Sequence, residues 1–159
     1  MKTAVVFYSL EGNCTLVAQE IQTLTNADLV QIQLRNEKKR TGFAKFFWGG
    51  GMAFFHIKPA LKPYRFDPAT YDLIILGTPV WAGFPAPPIL SFLSQTKISG
   101  KKLVLFACHA GGMKDALEKL KIKLKGNDIV SENNFIYPVR QDPNELKQKI
   151  ANWVKGFCL

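Results

Sequence analysis

Tyr8-Ser9-Leu10-Glu11-Gly12-Asn13-Cys14 follows the apolar run Ala4-Val5-Val6-Phe7 and leads into a stretch with helical spacing. A short continuous apolar run of this kind reads as a strand buried on both faces, as in a parallel sheet. The loop after it gathers backbone N–H groups at a helix N-terminus, where unpaired donors and the helix dipole favour an anion. Gly12 and Asn13 tolerate the backbone angles of a turn that wraps a phosphate. Ser9 and Asn13 bring side-chain donors. The loop holds no Lys, so it departs from the glycine-rich Lys-Ser/Thr loops that bind nucleoside triphosphates. The expected ligand is a phosphate monoester.

Outward from this loop, strand and helix patterns alternate to the end of the chain. Strands are expected at 3–8, 29–34, 72–77 and 102–107, with a fifth within 128–137. Helical spacing links Val17, Ile21 and Leu24, then Ile89, Phe92 and Leu93, then Leu146, Ile150, Trp153 and Phe157. The last helix opens with Asp142 as its cap and Pro143 at its first position. Residues 119–125 alternate with period two, as an edge strand would. Met113, Leu117, Leu120 and Leu124 nonetheless share a helical face. A parallel sheet needs a crossover of at least about ten residues at this point, which selects a helix ending near Gly126. The result is a single α/β domain over 1–159, a doubly wound sandwich with a five-stranded parallel sheet in the order 2-1-3-4-5. In such a sheet the ligand lies at the switch point between strands 1 and 3, so the loops after strands 1, 3 and 4 should converge on it.

Composition narrows the setting. The 159-residue chain carries a net charge of +9 and a pI near 9.6. Its basic residues are scattered through Lys38-Lys39-Arg40, Lys58 to Lys62, Lys101-Lys102 and Lys119 to Lys125. No nucleic-acid motif accompanies them, so the charge reads as a solubilising and steering surface. No run approaches the roughly 20 apolar residues of a membrane span. Ser9 and Glu11 interrupt the N-terminal apolar run before a signal-peptide core forms. Cys14, Cys108 and Cys158 are odd in number and far apart, which supports neither a disulfide framework nor a zinc site. A reducing cytoplasm is the expected compartment.

The loop after strand 3 runs from Gly77 to Pro88 through Thr78-Pro79-Val80-Trp81-Ala82-Gly83. Its glycines and prolines predict a stiff segment without regular structure, with Trp81 placed to stack on a planar ring, worth about 1 kcal/mol beyond burial. Pro87 or Pro88 suits the first turn of the next helix. The loop after strand 4, Cys108-His109-Ala110-Gly111-Gly112, is small enough for a ligand to approach its backbone. His109 is placed either at the ring edge or toward solvent.

Ser9-Leu10-Glu11-Gly12-Asn13-Cys14 is similar to the flavodoxin phosphate loop, a Ser/Thr-x-Thr-Gly-x-Thr pattern. Thr78-Pro79-Val80-Trp81-Ala82-Gly83 resembles the flavin-ring loop of short bacterial flavodoxin-like proteins, and Gly111-Gly112 sits where that family places its third flavin loop. The resemblance covers essentially the whole chain. It implies a flavodoxin-like fold and a non-covalent FMN, with the phosphate on residues 9–14 and the ring between 78–83 and 108–112. Two positions depart from the pattern. Glu11 replaces a Thr, so its backbone N–H is expected to bind while the side chain points away. Cys14 replaces the last Ser/Thr, a thiol being the weaker donor. A helix N-terminus would lower the Cys14 pKa in the empty protein. Neither Cys14 nor Cys108 is expected to be catalytic.

A flavin carries its own redox chemistry, so the protein need only bind, orient and tune it. The resemblance implies electron transfer to a redox partner protein. Flavodoxin carriers tend to be acidic, so this basic chain implies an acidic partner, or else an FMN-dependent reductase acting on a small acceptor such as a quinone. A degenerate flavodoxin fold serving as a protein-binding module is a third reading. A phospho-receiver domain of the same topology is disfavoured, because Tyr8-Ser9 and Gly77-Thr78 stand where it needs acidic residues. Between residues 40 and 66, Phe43, Phe46, Phe47, Trp48, Phe54, Phe55 and His56 surround Gly49-Gly50-Gly51. Thr41 reads as a helix start and the glycine triplet as a helix end or kink. The aromatics read either as core beneath the sheet or as an apolar lip or partner patch beside the flavin.

Overall fold

In the computed structural model, which describes residues 1–36, 51–52 and 57–158, the apolar runs become six strands. They are β1 (Thr3–Phe7), β2 (Asp28–Gln31), β3 (Leu73–Trp81), β4 (Phe84–Pro85), β5 (Lys102–His109) and β6 (Asp128–Ile136). Five of them pair in parallel in the order β2-β1-β3-β5-β6, while the two-residue β4 pairs antiparallel with the end of β3. With β4 set aside, this is the expected 2-1-3-4-5 order. The helices described are α1 (Asn13–Thr25), α2 (Pro87–Gln95), α3 (Ala116–Lys123) and α4 (Pro143–Lys155). None of the described helices is long and apolar enough to cross a membrane.

Successive strand side chains point to opposite faces, and here both faces are covered. Val6, Ile74, Leu76, Leu103 and Leu105 pack with Ile89 and Phe92 of α2 and with Leu117 and Leu120 of α3. Val5, Phe7, Ile75, Val104 and Phe106 pack with Val17 and Ile21 of α1 and with Leu146, Ile150 and Val154 of α4. Each of these large apolar side chains contributes about 1.5–3 kcal/mol on full burial. Gly77 lets β3 and β5 share one aromatic, since a Cβ there would lie 2.1 Å from Phe106 Cζ.

Local chemistry sets the helix limits. Asp142 accepts hydrogen bonds from Asn144 N and Glu145 N at 2.9 and 3.0 Å, and Pro143 opens α4 as expected. Pro87 opens α2. Burial resolves the ambiguous 119–125 segment. Leu117, Leu120 and Leu124 are buried while Ile122 is 60% exposed, whereas a strand would bury 120, 122 and 124 together.

Three sequence expectations change. β2 ends at Gln31, although Ile32 and Leu34 remain buried and Leu34 bridges Leu61. Leu24, expected on the buried face of α1, is exposed in the last turn of that helix, while Val17 and Ile21 are buried. β3 continues through the segment read as irregular and folds back on β4 as a hairpin. Gly51 and Met52 are helical. Thr41 and the aromatic cluster, with Gly49 and Gly50, lie outside the described residues.

Candidate functional site

A cavity of about 450 Å³ opens at the carboxyl ends of β1, β3 and β5. Three expected loops meet there: Ser9, Leu10, Glu11, Asn13 and Cys14 from the first, Pro79, Val80, Trp81, Ala82 and Gly83 from the second, and Cys108, His109, Ala110 and Gly112 from the third. Lys114 and Tyr137 complete the lining.

In the first loop Gly12 caps α1 with φ +89°, and Leu16 N donates to Gly12 O at 3.0 Å. The next donor is also satisfied, because Thr15 N donates to Ser9 Oγ at 3.3 Å. The N–H groups of Asn13 and Cys14 sit at the helix start, where no intrahelical carbonyl stands behind them. No acidic residue lies in the first turn of α1, while Glu11 lines the cavity one residue before the Gly12 cap. The Asn13 side chain does more than was expected of it. Its Oδ1 accepts from Val139 N at 3.1 Å, tying this loop to the 3-10 turn Pro138–Arg140.

The expected lowering of the Cys14 pKa is reversed. The thiol is fully buried against Cys108, and burial pushes its pKa well up, with the Cys108 hydrogen bond adding to the effect. Desolvation outweighs the helix N-terminus at this position. A thiol held protonated is a poor nucleophile.

The second loop is a two-residue hairpin. Ala82 and Gly83 have φ +53° and +78°, the paired left-handed angles of a type I′ turn, whose twist matches that of the flanking strands. Lys119 clamps the tip from α3: its Nζ donates to Gly83 O at 3.0 Å, lies 3.6 Å from the Phe84 ring centre and pairs with Asp115 at 2.8 Å. Trp81 meets the Tyr8 ring edge-on, with centroids 5.7 Å apart. Thr78 is buried and works at the hairpin base instead of lining the cavity. Its Oγ1 donates to Pro79 O and accepts from Ala86 N, at 2.8 and 2.9 Å.

In the third loop His109 lines the cavity with both ring nitrogens engaged. Gly111 N donates to its Nδ1 at 3.0 Å, and its Nε2 lies 3.0 Å from Asn134 Oδ1. Gly111 itself takes φ +95°.

The two lining residues not singled out from sequence lie in segments without a motif. Tyr137 precedes Pro138 at the end of the last strand, with φ +43° and the Arg140 guanidinium 4.4 Å from its ring centre. Its signal was positional: the segment after the fifth strand ends beside the loop after the fourth. Lys114, at φ +46°, lies against Gly83, two residues beyond the glycine pair. Among the described residues no cluster of His, Cys, Asp and Glu suits a metal ion.

Comparison with known proteins agrees with this geometry. A family model described as flavodoxin matches residues 2–156. No curated protein matches the chain in sequence. The fold is similar to that of a flavoprotein from Lactobacillus acidophilus NCFM solved in complex with FMN, with TM-score 0.74, 20% identity and coverage of 96% of this chain and 97% of that one. It is also similar to oxidised flavodoxin 2 from Bacillus cereus, with TM-score 0.62, 18% identity and coverage of 99% and 98%. Two-electron reduced flavodoxin from Megasphaera elsdenii matches with TM-score 0.55, 17% identity and coverage of 94% and 98%.

Proposed function

The chain belongs to the flavodoxin family, and on that premise we propose that its cavity binds FMN non-covalently and that the protein transfers electrons through it. The observation that carries this reading is the convergence of three loops around one cavity, with helix N–H donors at one end and an indole at the other. The residues fit the group. Asn13 and Cys14 N–H and the Ser9 hydroxyl would hold the phosphate, since α1 begins there without an acidic residue in its first turn. Trp81 and the 108–112 backbone would flank the ring. Bound FMN supplies the electron chemistry. The protein's part is to hold the phosphate, fix the ring between the hairpin and the third loop, and exclude water from the ring face that Trp81 covers.

The net charge of +9 bears on what receives the electrons. An acidic redox partner protein would be steered to this surface, with an association rate that falls as salt rises. The same charge favours a second reading, in which a small acceptor such as a quinone reacts at the flavin and the protein is an FMN-dependent reductase. Absorption spectroscopy of the purified protein tests the shared premise: a flavin spectrum, or its appearance on adding FMN, is expected. Steady-state assays then separate the two readings. Electron exchange with a flavoprotein reductase and little quinone turnover supports the carrier, whereas rapid quinone reduction by a reduced nicotinamide supports the reductase. A correctly folded protein without affinity for FMN would leave the protein-binding module as the remaining reading.

A further inference from the structure

We propose that His109 is the positioning residue of the third loop, and that it holds that loop only as the neutral imidazole with its proton on Nε2. The inference rests on the FMN reading of the cavity. The bond from the Gly111 amide selects this tautomer, and the Asn134 contact accords with it. Gly111 N–H donates to Nδ1 at 3.0 Å, so Nδ1 must offer a lone pair. Nε2 therefore carries the proton, and it lies 3.0 Å from Asn134 Oδ1.

His109 thereby joins three walls of the cavity, two through its ring and one through its backbone. It holds Gly111 on one side and β6 on the other, and the His109 carbonyl accepts from Tyr137 N at 3.0 Å. A Cβ at Gly111 or Gly112 would meet nothing within 4 Å, so the turn borders open space at both glycines. Gly111 also sits at φ +95°, which a glycine reaches as readily as negative angles, so a partner on its N–H is what fixes the turn. The Nδ1 bond is that partner.

Protonation reverses the arrangement. An imidazolium carries N–H on both nitrogens, so Nδ1–H would face Gly111 N–H, donor against donor, and the turn would be released. The groups set around the ring are few. Glu11, Cys14, Lys114 and Tyr137 line the same cavity, Cys108 precedes His109 in the chain, and the partner on β6 is the uncharged Asn134. The neutral amide of Asn134 accepts from Nε2–H without adding a carboxylate that would favour the charged ring.

The test uses the full chain and FMN. Dissociation constants are measured by flavin fluorescence at about pH 8 and about pH 5.5, the range in which imidazoles change charge. The proteins compared are the wild type, His109→Gln and Asn134→Asp. The FMN phosphate takes up a proton in the same range, so the readout is the difference between proteins. Wild type is expected to lose about five- to tenfold more affinity on acidification than His109→Gln, which does not titrate. Asn134→Asp, whose carboxylate favours the imidazolium, is expected to move that loss to higher pH. Equal losses in wild type and His109→Gln would overturn the inference and leave FMN binding intact. Failure of every protein to bind FMN at about pH 8 would overturn the cavity reading and this inference together. Nitrogen-15 NMR of the wild type, assigned against its one other histidine, His56, is expected to show a bare Nδ1 and a protonated Nε2 for His109. An Nδ1-protonated ring would overturn the inference regardless of binding.

Discussion

The two ends of the sheet solve the same turn-making problem differently. Among the described residues, the left-handed positions at the amino end are Asn26, Gly100 and Gly126, the residue types that adopt such angles most readily. At the carboxyl end they are Gly12, Ala82, Gly83, Gly111, Lys114 and Tyr137. Three of these carry ordinary side chains at an angle that costs roughly 1–2 kcal/mol each. The amino end also consumes its own polar groups. Asn127 accepts from Lys101 N at 3.0 Å and donates to Ile98 O and Leu124 O at 2.9 Å each. The carboxyl end leaves the first N–H groups of α1 facing a cavity. Strain and unused donors at one end, relaxed and self-satisfied turns at the other, mark the end built for a ligand.

The largest expected effect falls on the relaxed end. Asn127→Ala removes three hydrogen bonds and should lower stability by about 2–3 kcal/mol in denaturant titration, with FMN affinity within about twofold of wild type. A parallel collapse of FMN affinity would break the division between the ends. Trp81→Ala strikes the other end. FMN affinity should fall about tenfold, with most of the flavin fluorescence quenching lost.

Lys119→Met sharpens the role of the hairpin clamp. Losing the bond to Gly83 O and the contact over Phe84 should cost about 1 kcal/mol of stability. It should also weaken FMN through the loosened Trp81 hairpin, read in the same two titrations. The smallest effect is a gain. Ala82→Asn places a residue suited to the first position of a type I′ turn and should raise stability by about 0.5–1 kcal/mol. No gain there would mean that the strain assigned to the carboxyl end is not stored at Ala82.

The strand order and the three converging loops were legible in the sequence because they follow from apolar runs and from the crossover rule. Both depend on residue type and spacing alone. What was not legible depends on contacts between distant segments. Thr78 reads as part of the ring loop until its hydroxyl is seen to donate to Pro79 O and accept from Ala86 N at the hairpin base. The helix N-terminus alone would lower the Cys14 pKa, and only the placement of Cys108 and full burial against it shows why the shift goes the other way. The hairpin at Ala82-Gly83 was hidden because Pro79 and Pro85 argued against a strand, yet β4 is only two residues long and lies at an edge, where a missing N–H is tolerated. Tyr137 joined the site through its neighbours, its own N–H pairing with His109 O and the adjoining Val139 N with Asn13.

The central claim is that the strained end holds FMN by both its phosphate and its ring. Titrating the flavin-free protein with FMN and with riboflavin, by flavin fluorescence, tests it most directly. The account expects saturable quenching by both, with FMN bound at least about tenfold more tightly because only FMN reaches the α1 donors. Equal affinity for the two flavins would contradict the phosphate site, and absence of saturable quenching with FMN would contradict the claim altogether.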